Sequence, residues 1–178
     1  SEALLIPGKS ISTVQYARIS AKKDESYAQR VSLLFMKLSV LLTGIGTVIL
    51  MLLPARFLTW LLGDSFAHIK TTIFAMSIGI IALSAETILS HYFSGTGRQQ
   101  KNSISSLIGL VLTLVFAYIL IPSYGAVGAA MTSSIAFSGM LIYLLVLMSK
   151  HKGMSLKLFL PQQKDWRLIR RILKMYKL

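Results

Sequence analysis

Two charged residues sit inside long apolar stretches of this sequence: Lys37 within residues 31–53 and Glu86 within residues 69–93. A charge at the centre of a membrane helix costs about 2.5–3.5 kcal/mol on insertion scales, so each needs a physical reason. At 1.5 Å per residue, Lys37 lies roughly 9 Å from the start of its run and Glu86 roughly 10 Å from the end of its own. If the two runs are antiparallel helices, opposite charges stand at matching depth. Three readings stay open. Lys37 snorkels to the headgroups while Glu86 packs against Ser84, Thr87 or Ser90; the two form a salt bridge; or they face a cavity. Arg98 and Lys101 follow in the next connection. Like Lys37, they supply the charge-assisted donors that phosphate oxygens accept.

Other chemistries find no support. His91 is five residues from Glu86, a spacing that does not align the pair on one helix face. It reads as a boundary histidine more readily than as a proton relay. His68 and His151 fall in connections, and three scattered histidines without paired carboxylates make no metal site. There is no cysteine, hence neither a disulfide nor a thiolate ligand. Gly95-x-Gly97 before Arg98 lacks the third glycine and the βαβ setting of a dinucleotide fingerprint. No Ser-His-Asp set or carboxylate pair is placed for catalysis, so neither an enzyme nor a cofactor is expected.

The elements that position these residues follow from composition. The chain has 178 residues, 54% hydrophobic, with mean hydropathy +0.66 and a formal charge of +13. A soluble nucleic-acid binder spreads its basic residues over a polar surface; here most of them flank apolar runs. Four such runs occur, at about 31–53, 69–93, 104–121 and 125–148, closed by Pro54, by the Gly95–Gly97 turn, by Pro122 and by Ser149-Lys150. A span needs about 20 apolar residues. Lipid leaves bare backbone groups unsatisfied, and the runs do not alternate as barrel strands do. The expected fold is therefore all-α, a polytopic transmembrane bundle over residues 1–148 with a tail over 149–178. Residues 3–16 are apolar but broken by Pro7 and Gly8. They read as a partial helix within 1–17 whose beginning is missing, so the chain looks like a fragment with no signal peptide.

Orientation comes from counting Lys and Arg. Residues 17–30 hold four, residues 94–103 hold Arg98 and Lys101, and the tail from Ser149 holds nine. The alternate connections hold only Arg56, with Lys70 just inside the next run. The positive-inside rule puts the rich side, including the C-terminus, in the cytoplasm. Residues 57–62, with Trp60, read as a short interfacial helix on the outer side. In the last run, rich in small residues from Gly125 to Gly139, Gly125 with Ala129 and Gly128 with Thr132 form small-xxx-small pairs that let helices approach closely, and Gly44 and Gly46 read the same way.

The run YFSGTGRQQKNS (92–103), leading into a helix that ends IPSYGAVGAAMTSSIA (121–136), resembles the C-terminal part of polysaccharide-export flippases. These form the O-antigen and exopolysaccharide branch of the multidrug and oligosaccharidyl-lipid exporter superfamily. ISTVQYARISAKKDES (11–26) is similar to that family's loop before the following helix. The resemblance covers nearly the whole chain, and the last 30 residues are its least family-like part. It implies a two-lobed transporter of 12 to 14 helices in an inner (plasma) membrane. This chain would be most of the second lobe, and the N-terminal lobe would be its partner. The implied task is to flip a lipid-linked oligosaccharide outward. On that reading Lys37, Glu86, Arg98 and Lys101 are candidate substrate-binding residues, the cations serving a pyrophosphate at the cytoplasmic mouth. A cation-coupled multidrug exporter would be expected to use acidic cavity residues, and only Glu86 lies within a run. A non-transporting scaffold subunit is the third possibility.

In the tail, Trp166, Ile169, Leu173 and Tyr176 recur at helical spacing among Lys164, Arg167, Arg170, Arg171, Lys174 and Lys177. Such a basic amphipathic helix suits an anionic leaflet, with no nucleic acid involved. A peptide of residues 149–178 should bind vesicles less as their anionic lipid is diluted; binding indifferent to composition would refute this role.

Overall fold

The computed structural model describes residues 25–54 and 69–150. The partial helix expected within 1–17, the segment around Trp60 and the tail helix with Trp166, Arg167, Arg170, Arg171 and Lys174 lie outside the described residues. Three helices account for nearly all the rest: α1 (Glu25–Leu52), α2 (Ile69–Gly95) and α3 (Gln99–Lys150). No strand occurs among the described residues. Each helix is long and apolar enough to cross a membrane, as an all-α membrane bundle requires.

At 52 residues, α3 would reach roughly 78 Å if straight, far beyond a hydrocarbon core of about 30 Å. It folds. Gly125 takes φ 54° and ψ −126°, outside the helical region, a conformation that a residue without a Cβ adopts at no steric cost. Residues distant in sequence then meet. Ser105 Oγ donates to the Met140 carbonyl at 3.4 Å. A Cβ on Gly128 would strike the Leu120 backbone, and one on Gly139 would strike the Leu112 side chain. α3 is thus a hairpin with arms 99–124 and 126–150.

The helical bounds differ from the apolar runs in instructive ways. Pro122 lies inside the helix rather than ending it, and the break comes at Gly125. Proline removes one backbone donor and crowds the carbonyl four residues earlier. In the last turn of an arm that disturbance is small, whereas the reversal itself needs a positive φ. α1 starts at Glu25, six residues ahead of its apolar run, because polar side chains can continue a helix beyond the lipid.

α1 and α2 are antiparallel: Leu50 and Met51 share a cleft with Lys70, Ile73 and Phe74. α2 and the second arm run parallel, since Gly79 meets Ser134 and, further along, Phe93 lines a cleft with Leu147. The hydrophobic core gathers where α1 begins and where α2 and α3 end. Leu33, Met36, Ile88, Leu89, Tyr92, Phe93, Leu144 and Met148 pack there, with the Tyr92 and Phe93 rings edge to face at 5.2 Å. Elsewhere large apolar side chains point outward, among them Leu42, Ile45 and Ile49 on α1 and Leu107, Val111, Leu114 and Tyr118 on the first arm.

α2 and the second arm approach closely at Gly79 and Ser134. Ser134 Oγ donates to the Ala75 carbonyl at 2.6 Å and accepts from the Gly79 amide at 3.2 Å. Those two backbone groups are four residues apart, so the hydroxyl reaches into the α2 ladder itself. A Cβ at Gly79 would lie 2.6 Å from Ser134 Cα. Gly44 does not act this way: a Cβ there meets no described atom within 4 Å. Gly79→Ala should cost about 1–3 kcal/mol, the usual range for overpacking, read as a lower thermal midpoint in detergent. An unchanged midpoint would mean the helices are not this close.

Candidate functional site

The turn from α2 into α3 is built by local hydrogen bonds. Gly97 has φ +77°. The Arg98 amide donates to the Phe93 carbonyl at 2.8 Å, and the Gly97 amide donates to the Ser94 carbonyl at 3.1 Å. These are the two bonds of a Schellman ending, with glycine at the left-handed position. Thr96 adds its hydroxyl to the Tyr92 carbonyl at 2.9 Å. The next helix begins at once: the Lys101 amide donates to the Arg98 carbonyl at 3.0 Å. Asn102 then clamps the two helices, its Nδ2 donating to the Ser90 carbonyl and to Ser94 Oγ, both at 2.8 Å. Arg98 is thereby held beside the end of α2.

At this corner Phe93, Arg98, Lys101, Leu147 and Lys150 line a cleft of about 260 Å³. Three elements contribute: the last turns of α2, the start of the first arm and the last turn of the second. Folding at Gly125 brings Lys150 beside Arg98, 52 residues earlier. Phe93 is buried, Arg98 and Lys101 are half-buried, and Lys150 is exposed. Within 25–54 and 69–150 the carboxylates are Glu25 and Glu86, against six Lys and Arg. The arrangement offers planar and point-charge cationic donors over an apolar floor. It suits an anion attached to something greasy.

The other sequence candidates lie elsewhere. Lys37 is half-buried on α1, roughly 18 Å along the helix from Glu25 at 1.5 Å per residue. Glu86 is buried at 8% exposure. On α2 it falls midway between Gly79 and Phe93, level with Leu141 of the second arm by the parallel offset. No hydrogen bond or ion pair to Glu86 is found among the described residues. Ser84 and Thr87 instead donate to the carbonyls of Ile81 and Leu83, each at 2.8 Å. His91 is half-buried near the end of α2. Sequence therefore groups Arg98 with Lys101 as the structure does, but Lys37 and Glu86 do not join that cleft.

Comparison with known proteins gives this geometry a family. The model of the lipid II flippase MurJ family matches residues 3–173. The chain belongs to the MurJ family. A curated relative, the capsular polysaccharide biosynthesis protein CapF of Staphylococcus aureus, is 32% identical over 94 residues. That stretch is 52% of this chain and spans 24% of CapF. No solved structure matches. Together with the three apolar helices, membership of the MurJ family makes this a multi-pass membrane protein.

Two residues of the corner, Lys150 and Asn102, escape sequence reading, as does Ser134 further along the second arm. Lys150 counts there only towards topology, since nothing in the sequence shows that the chain returns to Arg98. Asn102 stands within the quoted turn, and a carboxamide at the mouth of a span was the available signal. Ser134 is one hydroxyl among several small residues. The Schellman ending gives a clean test. A Cβ at Gly97 meets no atom within 4 Å, so Gly97→Ala carries only the backbone penalty, about 1–2 kcal/mol. Its thermal midpoint should fall, while Gly44→Ala should hold or gain up to about 1 kcal/mol. Equal midpoints for the two variants would contradict the positive φ at residue 97.

Proposed function

We propose that the complete protein flips a lipid-linked oligosaccharide, the precursor of a surface polysaccharide, from the inner to the outer leaflet of the plasma membrane. The family match over residues 3–173 carries this reading. The role in capsular polysaccharide biosynthesis for which CapF is named supports a polysaccharide precursor as cargo, of which O-antigen is one class. This chain then contributes helices of the second lobe, and the first lobe completes the pathway. The basic corner faces the cytoplasm, in keeping with the charge asymmetry of the connections. Lys37, within the hydrocarbon span, assists entry of the anionic head group. Glu86 serves the same lobe from a buried position, as a polar group against which the second arm packs.

The supporting physics is a match of charge. A pyrophosphate-linked glycan is anionic, and its oxygens are best held by cationic donors. Proton- or sodium-coupled drug export draws instead on acids, and Glu86 is the single carboxylate in the interior of a described helix.

The full-length gene should restore surface-glycan display in a strain deprived of its own flippase, without raising drug resistance. In the same strain Lys37→Ala should lower export about tenfold, the scale of one lost charge-assisted hydrogen bond, roughly 1.5 kcal/mol. Normal membrane insertion without any glycan display would defeat the flippase reading. Undiminished export by the variant would remove Lys37 from the mechanism.

A further inference from the structure

We propose that the cleft lined by Phe93, Arg98, Lys101, Leu147 and Lys150 binds the phosphate headgroup of a membrane lipid. The inference goes beyond flipping, because it concerns a site that can hold a lipid whether or not anything is transported.

Three observations point the same way. First, the cations converge from different elements. Arg98 is fixed by the Schellman ending, and Lys101 lies one turn into the first arm. Lys150 returns at the end of the second arm. Phosphate oxygens accept charge-assisted donors from such groups. Second, the floor is apolar. Phe93 and Leu147 line the same 260 Å³, which suits a phosphoester with carbon attached rather than a hydrated free ion.

Third, Lys101 stands at the head of an exposed apolar track. On a helix of 3.6 residues per turn, Ile104, Val111, Val115 and Tyr118 lie within roughly a third of a turn of Lys101. They are 42%, 52%, 50% and 85% exposed. A lipid with its phosphate in the cleft would lay its chain along this track. The opposite end of the bundle has a cleft with Lys70 as its one charged lining residue among the described residues.

The same phosphate chemistry is available from a bulk anionic phospholipid and from a polyprenyl pyrophosphate carrier. The test uses full-length protein in neutral detergent and a short-chain fluorescent phosphatidylglycerol, read by anisotropy. Phosphatidylcholine with the same chains is the comparison. The wild type should prefer phosphatidylglycerol, and Arg98→Ala, Lys101→Ala and Lys150→Ala should each weaken it roughly fivefold, the scale of one basic residue at an anionic surface. Lys150→Glu, at an exposed position, should weaken it further without disturbing packing. The charge-keeping triple variant R98K/K101R/K150R should retain binding.

Arg30 is exposed near the start of α1 and outside the cleft, and Arg30→Ala should leave affinity unchanged. Displacement by a polyprenyl pyrophosphate more readily than by phosphatidylglycerol would assign the site to the carrier. The reverse order would assign it to resident phospholipid. Equal binding of the two fluorescent lipids would overturn the proposal. So would wild-type affinity in Lys150→Glu, or a loss in Arg30→Ala matching that in the cleft variants. A protein that passes this test yet fails to restore glycan display would sink the flippase reading alone.

Discussion

Hydrocarbon cannot hydrogen-bond, and the rest of this structure follows from that deficit. Every backbone group within the membrane must find its partner inside the protein, which leaves helices as the form these apolar runs can take. The same demand governs side chains. Thr47, Ser77, Thr113 and Thr132 each donate to the carbonyl four residues earlier, at 2.7 to 2.9 Å. Hydroxyls within long apolar stretches are thereby made tolerable without a second helix. Ser134 goes further by bonding the backbone of another helix, and that bond is possible because Gly79 opposite has no Cβ. Ser39 Oγ and Thr43 Oγ1 are the departures. Both are buried on α1 with no hydrogen-bond partner among the described residues.

Packing and charge are coupled through the end of the bundle where the core gathers. Between helices in lipid, association draws on close van der Waals contact rather than on escape from water. The buried cluster around Tyr92, Phe93, Leu144 and Met148 therefore decides which helix ends are held together. These residues hold the end of α2 against the end of the second arm. Since Arg98 and Lys101 follow α2 directly and Lys150 closes the second arm, the apolar core fixes the positions of the three cations. The backbone bonds at Gly97 and the clamp at Asn102 set the remaining geometry. A basic cleft is thus built mostly by residues that carry no charge.

Legibility in the sequence follows the same physics. The apolar runs were readable because lipid demands unbroken hydrophobicity over about 20 residues, and the structure has helices through all of them. Their ends were less so. The polar residues from Glu25 to Arg30 carry the helix past the lipid boundary, and Pro122 stands inside a helix it was expected to stop. The tight turn at Gly97 is legible from the Gly95-x-Gly97 spacing. Which glycine meets which neighbour was not readable: Gly79 meets Ser134, while Gly44 meets nothing within reach. A helix that is apolar on every face leaves no stripe from which to infer its rotation. The matching depths of Lys37 and Glu86 therefore said nothing about whether the two face one another. Arg98 and Lys101 came together because they are three residues apart on one turn, a relation sequence does encode.

Topology alone does not account for the cleft. The positive-inside rule asks only that Lys and Arg be numerous on one side of the membrane; spreading them around the bundle would serve equally well. Convergence adds a cost. Like charges gathered around one cleft repel one another, less whatever salt and solvent screen at the exposed Lys150. Among the described residues the one carboxylate in a helix interior, Glu86, is seven residues from Phe93 along α2, roughly 10 Å at 1.5 Å per residue, and is buried away from solvent. An arrangement that gathers repelling charges over an apolar floor is more stable with an anion between them, and at a membrane surface the abundant anion is a lipid phosphate.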